Sequence, residues 1–295
     1  QGPQIIYQQP ITSFPFFEDF ENGVFLTQNL NNTDFEFTSG LNPAFRWQIG
    51  DEMTSTRNTG PYDGYHNGGQ YLYAESNGSS GIVSSYMRTM CLDFTGMTNP
   101  VMDFFYHAYG SDINKLEIQI SLGNEDLDTW NTIPGSIITT GTSNQSKELA
   151  QWEMKRIDLS SYANTSIKLR FKITRDATGD KTNFALDKIR IFDAPLNDAG
   201  GYSFNKPLNR GTPAGPFVPK VRIANFGKNA LTSATVNYRV TPLCGATQGV
   251  PINYTQTFST LTVAPGNNTE VTLSTAGVVN PAGEFEVALY VTNPN

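Results

Sequence analysis

The chain has 295 residues with 20 Lys and Arg against 27 Asp and Glu, a net charge of −7, and only 16% of its residues are charged. The acidic balance argues against a nucleic-acid-binding protein, which needs a basic surface to neutralise phosphates. An aromatic content of 12% argues against intrinsic disorder. No apolar run approaches the ~20 residues that a membrane-spanning helix requires.

Alternation of apolar and polar residues predicts β-strands along the first part of the chain. Residues 116–122 place four aliphatic side chains on one face, and residues 167–173 repeat the pattern with basic residues on the solvent face. Both are typical of half-buried strands in an antiparallel sheet. Residues 101–109 are richer in aromatics, as in a strand inside a sandwich. The best helical candidate, 146–156, has too little apolar surface, so we predict an all-β fold.

Proline and charge both change near residue 195. Five prolines fall between residues 195 and 219, and proline cannot donate to a β-ladder, so we predict a semi-extended linker over 195–220. Residues 1–194 carry 14 basic and 23 acidic residues, a net charge of −9. Residues 195–295 carry 6 basic and 4 acidic residues, a net charge of +2. The shift indicates two domains.

Short alternating segments resume after the linker, at a spacing typical of an immunoglobulin-like sandwich. We therefore expect an N-terminal extension over 1–13, a jelly-roll β-sandwich over 14–194, the linker, and a smaller Ig-like β-sandwich over 221–295. The strands predicted in the last part are 221–226, 234–240, 255–263, 269–273 and 283–292.

A succession of motifs in the first part follows a known order. They are FEDFENG at 17–23, Trp47, TGPYD at 59–63, GQYLYAE at 69–75, CLDF at 91–94, Trp152 followed by RIDL at 156–159, and FALDKI at 184–189. This succession resembles the MAM domain, a jelly-roll sandwich of extracellular adhesion receptors, receptor phosphatases and secreted proteases. Animal MAM domains usually carry conserved disulfides, whereas here only Cys91 stands near such a position. The resemblance therefore implies a bacterial relative.

The last part resembles the bacterial adhesion-related Ig-like domain called CARDB. The motifs are VRIANFG at 221–227, VNYRV at 236–240, LTVAPG at 261–266 and GEFEV at 283–287. The two resemblances together imply a fragment of a large bacterial surface or secreted protein, of the kind that uses type IX secretion and gliding motility. Its sorting domain would lie beyond residue 295.

Three carboxylates suggest a structural calcium site. Glu21 opens the predicted sandwich, Asp63 lies in a Gly-rich loop, and Asp187 lies near the last strand. The first and last strands of a jelly roll are neighbours, so Glu21 and Asp187 are expected to converge. Ca²⁺ takes 6–8 oxygen ligands from carboxylates and carbonyls, and the resemblance adds that such jelly rolls often carry a structural cation. The alternative is that these are solvated turn carboxylates.

Aromatic residues in loops are candidates for a ligand contact surface. Tyr62 and Tyr65 lie in the Gly-rich loop, and Trp130 precedes a turn. Aromatic faces stack on sugar rings and anchor protein interfaces. Most tyrosines of a sandwich are core residues instead, and Tyr71 and Tyr73, which share a strand face, are expected to be buried.

Catalytic chemistry finds little support in the sequence, and we expect no enzyme. His66, His107 and Cys91 lack the spacing of a zinc site. A glycosidase needs two facing carboxylates, but Gln119 and Ser121 occupy the positions that follow Glu117 on its strand face. Cys91 and Cys244 fall in different predicted domains, and we expect two free thiols.

The main hypothesis is a non-catalytic extracellular adhesion or protein-interaction region, secreted or at a bacterial cell surface, that binds a protein or glycan. One alternative is a pair of carbohydrate-binding modules. Another is an accessory region of a secreted peptidase or glycosidase.

Overall fold

The computed structural model describes residues 10–21, 35–39, 45–65, 68–75, 83–110, 114–122, 129–139, 145–175, 181, 183–206, 215–243, 252–274, 277–279 and 285–295. The chain divides into two units, Gln1–Asp193 and Ala194–Asn295. Each consists of β-strands, apart from one 3₁₀ turn at Ser160–Tyr162 in the described part of the first unit. No helix among the described residues is long and apolar enough to cross a membrane.

The first unit is a jelly-roll sandwich of two antiparallel sheets. In the order of its paired strands, the first sheet is β11-β7-β13-β4-β3, with β1 also pairing with β13. The second sheet is β10-β8-β12-β5-β2, with β6 on β12 and β9 on β8. The strands are β1 (Phe16–Glu18), β2 (Phe35–Ser39), β3 (Trp47–Gly50), β4 (Tyr71–Glu75), β5 (Val83–Thr89), β6 (Leu92–Asp93), β7 (Pro100–His107), β8 (Asn114–Ser121), β9 (Asn131–Thr132), β10 (Ile138–Thr139), β11 (Glu153–Asp158), β12 (Ser166–Arg175) and β13 (Asn183–Asp193).

Strict alternation along β8 and β12 builds the inner layer of the second sheet. The strands predicted at 116–122 and 167–173 are confirmed, and β12 alternates between buried and partly exposed residues along most of its length. Its buried Phe171 meets Phe104 of the facing sheet, with ring centroids 5.8 Å apart in an edge-to-face arrangement. Both rings are fully buried in the core that fills the space between the two sheets.

The boundary predicted at residue 13 between the N-terminal extension and the sandwich is wrong, because Ile11 already pairs with residues of the sandwich. The N–H of Ile11 donates to the carbonyl of Cys91 at 2.7 Å, and the N–H of Asp93 donates to the carbonyl of Ile11 at 2.9 Å. Ile11 also packs against the core. Burial of its apolar side chain lowers the free energy of the folded state. Ile11 is therefore part of the sandwich.

The second unit is a smaller Ig-like sandwich with its own core. It contains the sheets β14-β16-β19 and β18-β17-β21 and the pair β15-β20. Val221 and Ile223 of one sheet and Val236 and Tyr238 of the other are almost wholly buried in this core. The strands are β14 (Ala199–Lys206), β15 (Gly215–Phe217), β16 (Lys220–Asn225), β17 (Ala234–Pro242), β18 (Ile252–Phe258), β19 (Asn268–Thr272), β20 (Gly277–Val279) and β21 (Phe285–Thr292).

The linker predicted over 195–220 is wrong for much of its length. Ala199–Lys206 forms β14, which pairs antiparallel with β16, and Gly215–Phe217 forms β15. The prolines at 195 and 207 lie outside β14, so they leave its backbone donors intact. Pro216 lies inside β15, in a two-stranded sheet where a missing donor costs less than in a central strand.

We predict that β14 is required for the second unit to fold. A fragment starting at residue 194 should unfold cooperatively in urea, whereas one starting at 207 loses the buried side chains of Ala199 and Tyr202. The shorter fragment should be at least about 3 kcal/mol less stable, the typical cost of emptying such sites. Circular dichroism against urea concentration measures the difference. Equal midpoints for the two fragments would show that 199–206 acts as a linker.

Candidate functional site

The loop that carries Tyr62 and Tyr65 covers the outer face of the first sheet. The Tyr65 ring stacks on Phe105 of β7, with centroids 3.7 Å apart and planes 21° apart. Tyr62 points outward and is 53% exposed, and its N–H donates to the carbonyl of Glu148 at 3.0 Å. Of the two loop tyrosines predicted as contact residues, the structure therefore leaves Tyr62 available and uses Tyr65 for packing.

A second aromatic cluster lies beneath this loop. Tyr71 and Trp152 are buried and meet edge to face at 5.7 Å, while Tyr73 packs against them. The indole N–H of Trp152 donates to the carbonyl of Asp63 at 3.2 Å. The predicted burial holds for Tyr71, whereas Tyr73 is only half-buried. The rings of Tyr71 and Tyr73 lie on the outer face of the first sheet, in a cluster separate from the core between the sheets. The loop thus adds a second apolar layer to this face.

Of the three predicted calcium ligands, Asp63 lies in this loop, while Glu21 and Asp187 lie beside it. Each carboxylate accepts a hydrogen bond from a backbone N–H of the loop. Asp187 accepts from the N–H groups of Tyr65 at 3.1 Å and Lys188 at 2.7 Å. Glu21 accepts from the N–H of Gln70 at 3.1 Å. Asp63 accepts from the N–H of the next residue, Gly64, at 2.9 Å. The carboxylates therefore fix the backbone of the loop at several points.

A break in β13 sets the position of Asp187. Lys188 has a φ of 51°, a left-handed conformation that is uncommon for a residue other than glycine. The pairing of β13 with β7 shifts between Asp187 and Arg190 at the same place. Bulges of this kind re-aim side chains, and here one backbone irregularity coincides with the carboxylate that holds the loop.

Burial of Asp187 disfavours its charge. Burial is the main cause that raises the pKa of Asp187 to about 7, Lys188 and the two N–H donors oppose it, and the charge of Glu21 adds to the rise. Glu21 and Asp187 are thus close enough to interact electrostatically. Among the described residues, however, no group of three or more His, Cys, Asp and Glu side chains could hold a metal ion.

Two of the other polar candidates, His107 and Cys91, lie within the described part of the chain. His107 is fully buried beside Trp152, with ring centroids 5.8 Å apart, and burial lowers its pKa to about 4. Cys91 is a free, half-buried thiol whose pKa is raised by burial. His66 and Cys244 lie outside the described residues.

Trp130 belongs to a different surface, on the outer face of the second sheet. We call this surface the Trp130 face. It consists of the outward side chains of β8, β12 and β5 together with Trp130 and Thr132 of β9. The structure therefore does not bring Trp130 together with Tyr62 and Tyr65. The side chains discussed on this face are Tyr86, Arg88, Lys115, Glu117, Gln119, Trp130, Thr132, Lys168, Arg170 and Lys172.

Strand register arranges this face in rows. Arg170 of β12 lies between Gln119 of β8 and Arg88 of β5. In the next row, Lys172 lies between Glu117 and Tyr86. Directly opposed residues on neighbouring strands interact through their side chains. Strands ~4.8 Å apart and a repeat of ~7 Å along each strand therefore make a regular lattice of polar groups.

Two aromatic rings hold the guanidinium of Arg170. Its central carbon lies 4.4 Å from the centre of the Trp130 ring and 4.5 Å from the centre of the Tyr86 ring. Arg88 approaches Trp130 at 5.8 Å. Cations within ~6 Å of a ring centre are attracted by its electron-rich face. The rings are only partly buried, so this cluster of two rings and two guanidinium groups remains accessible to a ligand.

A chain of hydrogen bonds fixes the polar groups beside the rings. Arg170 donates to the amide oxygen of Gln119 at 2.9 Å, and the amide nitrogen of Gln119 donates to Thr132 at 3.1 Å. Thr132 donates to Glu117 at 3.3 Å. Gln119 and Thr132 each accept from one neighbour and donate to the next, so the chain runs from the donor Arg170 to the acceptor Glu117. The arrangement is therefore pre-organised, which reduces the entropy lost when a ligand binds.

Glu117 is held as a structural carboxylate. Lys115 approaches it at 3.2 Å and Lys172 at 3.7 Å. Gln119 and Ser121 follow it on the same strand face, as the sequence predicts, and no second carboxylate lies among the described side chains of this face.

Sequence reasoning found Trp130 but missed its partners. The polar positions of β8 and β12 are visible as alternation in the sequence, yet nothing local indicates that Tyr86 and Arg170 are neighbours. A sheet register depends on which strands pair, and alternation in one strand carries no information about its neighbour.

We predict that Asp187 makes the protein less stable as pH rises from about 4 to about 7. Its folded-state pKa lies above the unfolded value, so the folded state binds the extra proton and stability falls through this window, by roughly 4 kcal/mol at most. Asp187→Asn should lack this slope, although it also loses one hydrogen bond. Urea unfolding in chelated buffer at several pH values measures the difference between the two proteins.

The comparison with Asp187→Asn is needed because His107 has the opposite effect on stability. Its pKa is lowered in the folded state, so its contribution to the free energy of unfolding rises with pH. Asp158→Asn, an exposed carboxylate, is the matched control and should keep the wild-type slope. Parallel pH curves for wild type and Asp187→Asn would contradict the prediction.

Comparison with known proteins places the first unit in a family. The family model of the MAM domain, meprin/A5/mu, matches residues 27–195. No curated protein matches the sequence. Similar solved structures include a cleaved adhesin domain of Lys-gingipain from Porphyromonas gingivalis, with 18% identity, 61% of this chain and 98% of that chain covered, and a TM-score of 0.40. A mannohexaose-bound module from Caldicellulosiruptor saccharolyticus has 17% identity, 61% and 97% coverage, and a TM-score of 0.38. The family match spans more than half of the chain, which therefore belongs to the MAM domain family.

Proposed function

We propose that this chain is a non-catalytic, extracellular adhesion region of a larger bacterial surface or secreted protein, and that its jelly-roll unit binds carbohydrate through the Trp130 face. Membership of the MAM family agrees with an adhesive role. The second unit acts as a spacer that presents the first, in keeping with its CARDB resemblance. Secretion by the type IX route and a role in gliding motility belong to the same proposal.

One observation carries the carbohydrate proposal: the Arg170 guanidinium lies against both Trp130 and Tyr86, at 4.4 and 4.5 Å. Sugar rings present apolar C–H faces and a rim of hydroxyls. Aromatic rings pack against the faces, and fixed amide, hydroxyl and guanidinium groups bind the rim. The half-buried Thr132 and the guanidinium of Arg170 supply polar groups beside the rings, and the buried Gln119 holds both in place, so both kinds of contact are available on one surface.

A protein contact through the Tyr62 loop is the second candidate function. It is favoured by the 53% exposure of the Tyr62 ring and by the hydrogen bonds that tie the loop to Glu21 and Asp187. Tyrosine is common among residues that dominate binding energy at interfaces. An accessory role beside a peptidase or glycosidase domain is compatible with either surface.

We propose a calcium site with two carboxylate ligands in place of the three that the sequence suggests. These are Glu21 and Asp187, and backbone carbonyls complete the coordination shell. The support is electrostatic: Glu21 helps to raise the pKa of Asp187, and a cation between the two would relieve this repulsion. Such an ion would stabilise the loop and take no part in chemistry. Asp63, whose carboxylate accepts from Gly64, would contribute its backbone at most.

We predict that Trp130→Ala weakens glycan binding about thirtyfold, corresponding to about 2 kcal/mol for loss of a central aromatic contact. A glycan array identifies a bound oligosaccharide, and calorimetry then gives its Kd for wild type and variant. Tyr62→Ala, an aromatic truncation in the loop over the other sheet, is the matched control and should bind as wild type does. Loss of binding in Tyr62→Ala alone would instead support the loop as the contact surface.

We predict that chelation lowers the melting temperature of the first unit by roughly 5–10 °C, because a ligand bound only to the folded state stabilises it. Glu21→Gln should abolish the response to added Ca²⁺, whereas Asp158→Asn should keep it. Differential scanning calorimetry with and without Ca²⁺ provides the measurement. An unchanged melting temperature in wild type rules out the proposed ion.

A further inference from the structure

The Trp130 face is basic although the unit that carries it is acidic. Of the 14 basic residues among residues 1–194, five lie on three neighbouring strands of this face. Three acidic positions accompany them: Glu117, Glu36 of β2, which stands opposite Arg88 in the register, and Asp93 of β6, which stands opposite Ser166. The basic positions are Arg88, Lys115, Lys168, Arg170 and Lys172.

This concentration of charge opposes the net charge of −9 for residues 1–194. A basic patch on an acidic protein attracts anions locally and repels them elsewhere, which selects for a ligand that can reach this one surface. Alternation explains how the patch arises. Lys168, Arg170 and Lys172 are successive outward positions of β12, so they form a basic line with a spacing of ~7 Å.

The arginines also present suitable donors. The Nε–H of Arg88 is buried and has no hydrogen-bond partner within the described part of the chain. Arg170 is held in a fixed plane by two rings and Gln119. Guanidinium groups bind carboxylates through paired, planar hydrogen bonds. A carboxylate arriving beside Trp130 would meet the oriented guanidinium of Arg170 and the guanidinium of Arg88, whose central carbons lie 4.4 and 5.8 Å from the centre of the same ring.

Two properties therefore coincide on this surface: rings suited to sugar faces and basic groups suited to carboxylates. Resting on the function proposed above, the geometry points to a uronate-containing polysaccharide as the ligand of the Trp130 face. Its sugar rings pack beside Trp130 and Tyr86, and its carboxylates bind Arg88, Arg170 and Lys172.

The test compares the affinity of the full chain for two sets of oligosaccharides by calorimetry. One set consists of oligogalacturonides, and the other of the same compounds with their carboxyl groups reduced to alcohols. The reduced compounds differ in charge and keep the sugar backbone. We expect the charged form to bind at least about tenfold more tightly, since a charge-assisted hydrogen bond is stronger than a neutral one. Its affinity should fall between ~50 and ~300 mM salt, as screening increases.

Variants assign the effect to the face. Arg88→Gln should reduce binding of the charged form about tenfold and that of the reduced form by a smaller factor, because a neutral hydroxyl accepts a weaker hydrogen bond from a guanidinium than a carboxylate does. Lys181→Gln removes the same charge from an exposed residue outside the strands and should have little effect. Thermal melting of each variant verifies folding, and Arg88→Lys, which keeps the charge without the planar fork, should recover part of the affinity.

The outcomes separate this inference from the proposed function. Equal binding of charged and reduced forms, abolished by Trp130→Ala, would uphold carbohydrate binding and overturn the choice of a uronate. Binding of neither form, with no glycan bound on an array, would overturn both. Equally tight binding of polyglutamate or single-stranded DNA would overturn the uronate by showing that charge alone suffices.

Discussion

The strict alternation of β12 supports both the core and the candidate site. Phe171 and its apolar neighbours fill the space between the sheets, and this burial fixes which face of the strand points outward. Lys168, Arg170 and Lys172 are then forced onto one line in the solvent. Because a slip of one residue would bury this basic line, the hydrophobic core sets the position of every group on the Trp130 face.

The two outer faces of the jelly roll are used differently. The first sheet is covered by its loop, with Tyr65 stacked on Phe105 and the buried carboxylate of Asp187 holding the backbone. The second sheet leaves Trp130, Tyr86 and Arg170 partly accessible. Covering one face removes apolar rings from water, whereas the other face keeps its rings beside cations. This difference is the physical basis for the proposal that the second sheet binds the ligand.

Much of the fold could be predicted because its signals are local. The strands around Ile118 and Phe171 were visible as alternation, and the MAM motifs indicated the sandwich. The linker prediction failed because a proline interrupts a strand only at its own position. β14 (Ala199–Lys206) forms in the proline-free stretch between Pro195 and Pro207. At the candidate site, Trp130 was found alone, since its neighbours come from strands far away in sequence.

By itself, the sequence determined an all-β chain with an acidic first part, its core strands and its family resemblance, because periodicity, charge and motif order are properties of the chain alone. Only the tertiary structure decided which residues meet. It placed Arg170 against Trp130 and Tyr86, separated Trp130 from Tyr62, and buried Asp187 beneath a loop. Pairing between distant strands determines these contacts, and the energy of such pairing depends on all the side chains of a face together.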